Sequence, residues 1–256
     1  MTAAEPAPTS ADAVLDGRLV LRQPIKGHRI GHDAVLLAAA SSVRPDDRVV
    51  DLGAGVGAAG LAVASRLEHV TVTLVEIDAS LAALARENAA HNGLAERVRV
   101  VCLDVAAPAA VFDAAGLAAG ATDHVLMNPP FNAAQHPSPD RSRRLAHDAS
   151  RGTLGEWCRT AARLLRPAGA VTLIWRADSF DAVVAALAPD FGGIAVLPVH
   201  PKPQACAIRV LVRAVKASRA PLSLWPGFLL NDAAGRPTAQ AEAVLRGNAV
   251  LPLAGT

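Results

Sequence analysis

The amino-acid sequence predicts an α/β fold built on a doubly wound, mostly parallel β-sheet. Between residues 48 and 175, short apolar runs with strand character alternate with stretches that have helical spacing. Such alternation is typical of parallel strands joined by helices that cover both faces of the sheet. A glycine-rich segment, residues 53–57, directly follows the first of these strands. Because ligands bind such sheets at the carboxyl ends of the strands, we expect the functional site at that edge.

Length and composition favour one α/β domain with appendages. The chain contains no run of about 18 apolar residues, and its first residues lack the pattern of a secretory signal, so we expect a cytoplasmic protein without a membrane span. Cys102, Cys158 and Cys206 lack metal-ligand spacing, and we expect buried reduced thiols and no metal. The formal net charge of +2 permits a polyanionic partner without requiring one.

The N-terminal region begins with residues 1–17, which we expect to form a disordered tail because they are rich in Ala, Pro, Thr and Ser near the start. A polar segment with two glycines, residues 23–33, then precedes the apolar run 34–40. That run predicts a helix that begins near His32 or Asp33. The polar segment is either a solvated loop or a lid over a ligand.

The central region contains five strand-like runs, at residues 49–50, 70–75, 98–103, 124–127 and 170–175. Helices are predicted at residues 80–92, closed by Gly93, and around the apolar positions Leu154, Trp157, Ala161, Leu164 and Leu165, closed by Pro167 and Gly169. Residues 132–150 are expected to form a long polar loop.

The C-terminal region contains two β-like runs, residues 191–200 and 207–214, which predict an antiparallel hairpin that closes the sheet edge. A short apolar run, a turn and a short helix at 238–246 follow. We therefore divide the chain into the tail 1–17, a domain of residues 18–219, and an extension of residues 220–256 packed on that domain.

The glycine-rich loop is compatible with two classes of cofactor. Residues 55–60 read G-x-G-x-x-G, and Glu76 lies about 20 residues after Gly55, as in a dinucleotide fingerprint. However, Asp51 at the end of the strand can hold a cationic amino group, whereas it would repel a pyrophosphate. The glycine series also begins earlier, at Gly53, and the chain has no tyrosine to serve as the acid of a short-chain reductase. These features favour S-adenosylmethionine, with the dinucleotide as the alternative.

Carboxylates also follow the next two strands. Glu76 can accept hydrogen bonds from both hydroxyl groups of a ribose, and Asp104 is placed to meet the adenine edge of the same cofactor. Asp78 is expected to be the N-cap of the following helix. Each acid alone could be a capping residue, but three acids at successive strand ends favour a binding site.

The tetrapeptide Asn128-Pro129-Pro130-Phe131 follows the fourth strand and is the candidate catalytic loop. Its prolines cannot continue a regular helix, so the carbonyl groups of Asn128 and Pro129 remain free to accept hydrogen bonds. Acceptors beside an aromatic ring suit a flat ligand that carries an NH2 group. An ordinary turn with a core phenylalanine is the structural alternative.

Together these motifs resemble those of the class I S-adenosylmethionine-dependent methyltransferases, specifically the small-domain group with an Asn-Pro-Pro-aromatic motif. Residues 27–37, 51–57, 128–131 and 207–212 look like those of bacterial tRNA adenine-N6 methyltransferases that act on valine tRNA. The resemblance covers about residues 18–216. It implies a seven-stranded Rossmann-like sheet, S-adenosylmethionine as cofactor, RNA and most readily tRNA as substrate, and a monomer or homodimer.

The resemblance also implies roles for individual residues. Asp51, Gly53 and Gly55 would hold the methionine part of the cofactor, Glu76 the ribose and Asp104 the adenine. The wider cofactor set comprises Arg29, Gly31, Asp33, Ala54, Gly57, Ile77, Val105 and Asn128. Asn128 Oδ1 and the Pro129 carbonyl would accept the two hydrogens of an adenine amino group, and Phe131 would stack on the extruded base, a contact worth about 1–3 kcal/mol.

Basic residues near this loop and in the C-terminal hairpin are candidate contacts for RNA phosphates, which position a substrate without specifying it. They are Arg141, Arg143, Arg144, His147, Lys202, Arg209, Arg213, Lys216 and Arg219. A solvated polar surface is the alternative for each of them.

Several functions other than adenine methylation stay open. Protein glutamine N5-methyltransferases share the tetrapeptide type with Tyr in last place, but carry a sizeable helical region before the cofactor domain. Guanine-N2 rRNA methyltransferases usually have a second related domain. A dinucleotide-dependent oxidoreductase and a non-catalytic RNA-binding module that has kept the fold complete the alternatives.

Overall fold

The computed structural model describes residues 8–25, 30–130 and 141–255, with the backbone alone for residues 141–151. The strands are β1 (Thr9–Val14), β2 (Leu19–Pro24), β3 (Arg48–Leu52), β4 (Thr71–Glu76), β5 (Val98–Cys102), β6 (Thr122–Met127), β7 (Leu165–Arg176), β8 (Phe191–His200), β9 (Arg209–Lys216), β10 (Ser223–Leu224) and β11 (Phe228–Leu229). The helices are α1 (His32–Ala40), α2 (Ala58–Arg66), α3 (Ala79–His91), α4 (Ala109–Ala114), α5 (Arg141–Leu164), α6 (Phe180–Leu187) and α7 (Ala239–Leu245).

The strands after β2 form a single sheet in the order β10-β8-β9-β7-β6-β3-β4-β5, and β11 also pairs with β8. The five strands β3 to β7 are parallel to their neighbours within this group. Strand β9 is antiparallel to both β7 and β8. The predicted parallel sheet with a C-terminal antiparallel hairpin is therefore confirmed, and the seven longer strands β3 to β9 match the expected number.

Helices cover both faces of the sheet because the strand residues alternate between two cores. Val49 and Leu126 lie in the core that also contains residues of α1, α2 and α3. Val50 and Val125, one position away on the same strands, lie in the core with residues of α4, α5 and α6. Successive side chains of a strand point to opposite faces, so near-continuous apolar strands require this double covering.

The order of the strands places β3 at the centre of the parallel group. Strands β4 and β5 lie on one side of β3, and β6 and β7 lie on the other. The chain thus reverses its direction of winding between β3 and β6. This place is the switch point of the sheet, and doubly wound sheets bind ligands there. Leu52 and Met127 are in register, so the residues that follow them, Gly53 and Asn128, leave the sheet side by side.

The N-terminal residues correct one prediction. Residues 9–17 fall in the tail that we predicted to be disordered, yet β1 within this range pairs antiparallel with β2 along its whole length. Strand β2 buries Leu19 and Leu21 in the core. The local composition did not reveal this hairpin because β1 is held by its pairing with β2 and not by apolar residues of its own.

The segment before β7 corrects a second prediction. Residues 132–150 were expected to form a polar loop, but residues 141–150 belong to α5, which begins at Arg141 and continues to Leu164. Residues 132–140 lie outside the described residues. The first turns of α5 contain Arg, Leu and Ala, which favour helix, and no proline lies between Arg141 and Pro167. The strand β7 follows directly at Leu165, whereas the sequence predicted a strand that begins at residue 170.

The C-terminal extension corrects a third prediction, because the β8–β9 hairpin does not itself close the sheet. Strand β9 lies between β7 and β8, and the short strands β10 and β11 pair with the outer side of β8. The Trp225 N–H donates to the Val196 carbonyl at 2.8 Å, and the Leu230 N–H donates to the His200 carbonyl at 2.9 Å. The extension therefore supplies the outer strands that satisfy the edge of β8.

The cysteines correct a fourth prediction. Cys158 is buried as expected, and burial raises the pKa of its thiol to about 12, but Cys102 and Cys206 are exposed. All three are free thiols. Across the described ranges, no helix combines the length and apolarity needed to cross a lipid bilayer.

Candidate active site at the carboxyl edge of the sheet

Four predicted site residues lie in a row at the carboxyl ends of adjacent strands. Asn128 follows β6, Gly53 follows β3 and Glu76 ends β4, in the spatial order of those strands. Asp104 comes two residues after Cys102, which pairs in register with Glu76. The fold thus brings together residues that are up to 75 positions apart, since parallel strands end at a common edge.

The first two glycines of the glycine-rich loop share a backbone conformation but differ in what surrounds them. Gly53 and Gly55 have φ angles of +68° and +58°, which favour glycine. A Cβ atom on Gly53 would also lie 2.2 Å from Cη2 of Trp157, which packs on the loop from α5. A Cβ atom on Gly55 would meet nothing within 4 Å. The loop is therefore packed on the Trp157 side and open beside Gly55.

Asp51 is buried beneath this loop, with only 2% of its surface exposed. Its Oδ2 accepts a hydrogen bond of 2.8 Å from the Gly60 N–H in the first turn of α2. Burial raises the pKa of Asp51 to about 7, opposed by the Gly60 hydrogen bond and reinforced by the nearby charge of Glu76. A cation beside the carboxylate would lower this pKa, so Asp51 suits the cationic amino group predicted for it.

Glu76 connects the loop to the start of α3. Its Oε2 accepts from the Gly55 N–H at 2.7 Å, and its Oε1 accepts from the Asp78 N–H at 2.9 Å. Each carboxylate oxygen has a further lone pair and can also accept from a ribose hydroxyl group. Asp78 accepts from the N–H groups of Ser80 and Leu81, so its predicted role as the N-cap of α3 is confirmed.

Asn128 presents an acceptor that lacks a donor. Its Oδ1 is buried and has no hydrogen-bond partner among the residues that the structure describes. Leaving such an acceptor unsatisfied costs about 1–3 kcal/mol, which a ligand with an N–H group would recover. Pro129 is buried and Pro130 is exposed. Phe131 lies outside the described residues, and its stacking role stays a prediction.

The remaining residues of the predicted cofactor set lie mostly at the same edge. In the glycine loop, the Ala54 N–H donates to the Val75 carbonyl, and Gly57 is the N-cap of α2. After β4, Ile77 is 63% exposed beside Glu76. After β5, Asp104 is exposed, and the Val105 carbonyl accepts from the Thr160 hydroxyl. Gly31 is the N-cap of α1, and Arg29 lies outside the described residues. Apart from Arg29, these positions lie at the edge that the glycine loop and Glu76 define.

Asp33 and Arg209 contact each other, although we assigned them to different ligands. Arg209 Nε lies 2.9 Å from Asp33 Oδ2, and both side chains are about a quarter to a third exposed. Asp33 is in the first turn of α1, and Arg209 begins β9. The structure therefore pairs a residue predicted for the cofactor with one predicted for RNA.

The basic residues predicted for RNA do not form one surface where the structure describes their side chains. Lys202 is exposed in the turn between β8 and β9, at the same edge as the site. Arg213 instead donates to the Ser42 hydroxyl, and Lys216 donates to the Leu165 carbonyl at the opposite edge, where Arg219 follows. The side chains of Arg141, Arg143, Arg144 and His147 lie outside the described residues, although their backbone belongs to α5.

Three residues near the site were not predicted to act there. Trp157 contacts Gly53, Thr160 donates to the Val105 carbonyl, and Asn88 donates to the Val56 carbonyl within the glycine loop. In the sequence, these residues belong to segments with helical spacing. Such spacing predicts that one face of a helix is packed, but it does not predict which residues that face contacts.

The geometry thus describes a doubly wound α/β protein with a candidate ligand site at the switch point of its sheet. There is open space beside Gly55. Two carboxylates, and the Asn128 Oδ1 that has no partner among the described residues, are acceptors for amino and hydroxyl groups. The sequence profile of the methyltransferase small domain matches residues 28–200, and the chain belongs to that family. The cofactor is S-adenosylmethionine, and the family resemblance is confirmed. This finding replaces the dinucleotide interpretation of the glycine loop.

Individual relatives agree with the family. The chain is 40% identical over 104 residues to a tRNA1(Val) (adenine(37)-N6)-methyltransferase of Enterobacter sp. (strain 638), covering 40% of each protein. It is 30% identical over 156 residues to the protein of that name in Bacteroides thetaiotaomicron, covering 60% of this chain and 62% of the relative. The chain therefore spans less than two thirds of the length of these relatives.

A solved structure matches a larger part of the chain. It is that of an Agrobacterium tumefaciens protein described as a predicted O-methyltransferase, with 33% identity and a TM-score of 0.74. The match covers 86% of this chain and 98% of that protein. The fold is therefore shared along nearly the whole length of that relative.

Proposed function

We propose that the chain transfers a methyl group from S-adenosylmethionine to the N6 amino group of an adenine in RNA, and that this RNA is a tRNA. The observation that carries the proposal is the buried Asn128 Oδ1, which lies beside the glycine loop and has no hydrogen-bond partner within the described residues. A substrate that brings an N–H group to this atom would complete its hydrogen bonding. The adenine amino group is such a donor.

The cofactor residues follow from the site. Asp51 would hold the amino group of the cofactor, Glu76 the ribose, and the open side of the loop at Gly55 would receive the methionine part. When bound, the cofactor supplies an electrophilic methyl group on a positively charged sulfur. The two carboxylates and the glycine backbone are suited to that cationic, hydroxyl-bearing molecule.

Asn128 and Pro129 would activate the nitrogen of the substrate. The lone pair of an adenine amino group is delocalised into the ring, which makes the nitrogen a weak nucleophile. Hydrogen bonds from its two N–H groups to Asn128 Oδ1 and the Pro129 carbonyl favour a pyramidal nitrogen with an available lone pair. No strong general base is needed, because the proton becomes acidic once the nitrogen has attacked and then passes to water. Positioning therefore supplies most of the rate enhancement.

The choice of adenine in tRNA is supported by the names of the relatives. Both the Enterobacter and the Bacteroides relatives are tRNA1(Val) (adenine(37)-N6)-methyltransferases. Glutamine in a protein and guanine N2 in rRNA also carry NH2 groups that Asn128 Oδ1 could accept, so the product must decide among them. The Agrobacterium relative is described as acting on oxygen, and the same product analysis separates that reaction.

The test is transfer of a labelled methyl group from S-adenosylmethionine to total small RNA from a strain that lacks this protein, followed by nucleoside analysis. We expect N6-methyladenosine in tRNA. Label in protein, in an O-methylated nucleoside or in N2-methylguanosine would overturn the proposed substrate. Absence of cofactor binding would overturn the proposed site as well.

An Asn128→Ala variant tests the role of the amide. We expect kcat to fall by at least about a hundredfold, because an acceptor that acts on the reacting nitrogen is lost. The Kd for S-adenosylhomocysteine should stay within about twofold of wild type, since the amide serves the substrate. Full activity in this variant would contradict the assignment, whereas loss of cofactor binding would show that Asn128 serves the cofactor instead.

A further inference from the structure

The side chain of Asn88 joins three separate parts of the fold. It lies on α3 and is fully buried. Its Oδ1 accepts from the Arg22 N–H at 2.8 Å, and its Nδ2 donates to the Arg22 carbonyl and to the Val56 carbonyl, both at 3.0 Å. Arg22 belongs to β2, and Val56 lies between Gly55 and Gly57. One amide therefore connects α3, the N-terminal hairpin and the glycine loop.

Asn92, one helical turn further along the chain, contacts β2 as Asn88 does but does not contact the glycine loop. Its Oδ1 accepts from the Val20 N–H and its Nδ2 donates to the Val20 carbonyl, both at 2.9 Å. Val20 and Arg22 are two positions apart, so their backbone groups face the same side of β2. The two asparagines thus pair with the free edge of β2 as a neighbouring strand would. Only the Asn88 contact extends to the glycine loop.

We propose that Asn88 is a positioning residue that holds the glycine loop in its cofactor-binding conformation. The Val56 carbonyl precedes the N-cap of α2, where the loop turns into the helix. On the other side of Val56, the Gly55 N–H is held by Glu76. The loop is therefore fixed from β4 by a carboxylate and from α3 by an amide, on consecutive residues.

This inference rests on the proposed cofactor site but not on the identity of the RNA. It predicts that loss of the Asn88 amide weakens cofactor binding, because a loop with more accessible conformations spends less time in the one that binds. The loss of Asn92 should loosen the hairpin without this effect. The two asparagines therefore form a matched pair for the experiment.

The experiment compares Asn88→Ala and Asn92→Ala with the wild-type chain. The Kd for S-adenosylhomocysteine is measured by calorimetry at a temperature where circular dichroism shows each protein to be folded. Hydrogen exchange is followed at the amides of β2 and of residues 53–57. For Asn88→Ala we expect a Kd about tenfold higher and faster exchange in both segments, since a buried, doubly donating amide is lost. For Asn92→Ala we expect faster exchange in β2 alone and a Kd within about twofold of wild type.

The outcomes separate the inference from its alternatives. Equal loss of affinity in both variants would show that general loosening of the hairpin is responsible, and unchanged affinity in Asn88→Ala would show that the loop holds itself; either result overturns the inference. If Asn88→Ala does not fold, Asn88→Ser, which keeps a small polar side chain, is compared in the same way. Failure of the wild-type chain to bind S-adenosylhomocysteine would overturn the proposed cofactor site and this inference together.

Discussion

Replacing Gly53 with alanine tests whether packing against Trp157 demands a glycine at the start of the loop. The added Cβ atom would lie 2.2 Å from Trp157 Cη2 and 2.9 Å from Cζ3. Trp157 is only 8% exposed, and its rigid ring has little room to move away. A side chain at the Gly53 φ of +68° costs roughly 1–2 kcal/mol, and overpacking a buried site costs about 1–3 kcal/mol more. We therefore expect the free energy of unfolding to fall by about 2–5 kcal/mol.

Gly55→Ala is the matched control, because it carries the same backbone strain without the clash. Its φ is +58°, and the added Cβ atom meets nothing within 4 Å. We expect a stability loss of roughly 1–2 kcal/mol. The new methyl group occupies the open space beside the loop, so this variant should instead weaken binding of S-adenosylhomocysteine.

The assay is urea denaturation of both variants, followed by calorimetric titration with S-adenosylhomocysteine. A further variant, Trp157→Leu, removes the ring, and in that background Gly53→Ala should cost only the backbone strain. The reasoning is refuted if Gly53→Ala costs no more stability than Gly55→Ala. It is also refuted if the cost of Gly53→Ala is the same with and without the Trp157 ring.

Three further predictions concern pH. Because its folded-state pKa is raised to about 7, Asp51 keeps a proton in the folded chain that the unfolded chain releases, so its contribution to stability falls as pH rises from about 4 to 7. Asp51→Asn, which can still accept from Gly60, should therefore raise Tm more at pH 8 than at pH 5. A cofactor amino group beside Asp51 would lower this pKa, so the Kd for S-adenosylhomocysteine should fall about tenfold from pH 6 to pH 8 in the wild type and stay flat in Asp51→Asn. Burial, together with the charges of Arg213 and Arg66, lowers the pKa of His124 to about 3. The unfolded chain then binds a proton that the folded chain does not, so stability should fall as pH drops from about 6.5 to 3, and His124→Gln should flatten that slope.

Each pH prediction has an outcome that would contradict it. An Asp51→Asn variant whose gain in Tm is the same at pH 5 and at pH 8 would contradict the raised pKa of Asp51. A wild-type Kd that does not vary with pH would contradict the placement of a cationic group beside Asp51. A His124→Gln variant with the wild-type slope would show that the acid sensitivity arises at other residues.

The local sequence patterns determined most of the secondary structure. The alternation of apolar runs and helical spacing predicted the strands β3 to β7, and the capping residues Asp78 and Thr238 stand at the starts of α3 and α7. Glycines at alternate positions after a strand predicted the loop at the switch point. These features were predictable because each depends on residues close together in the chain.

The outer parts of the fold were decided by tertiary pairing. The hairpin of β1 and β2 is held through Asn88 on α3 and through Asn92, the C-cap of that helix, both more than 60 positions away. The strands β10 and β11 are only two residues long, and each exists because β8 offers an edge to pair with. Periodicity cannot reveal such elements, since a two-residue strand has no period and a side-chain amide can replace a strand.

For the candidate site as well, part could be predicted from the sequence and part depended on the tertiary structure. Residue chemistry in the sequence determined which groups were available, namely the acids at strand ends, the glycines and the Asn-Pro-Pro motif. Only the tertiary structure decided that Trp157 covers Gly53, that Arg209 pairs with Asp33 across 176 positions, and that Asn128 Oδ1 is buried with no donor in the described part of the chain. The physical reason is that burial and hydrogen-bond satisfaction depend on every neighbour in space, whereas a sequence motif specifies only the neighbours along the chain.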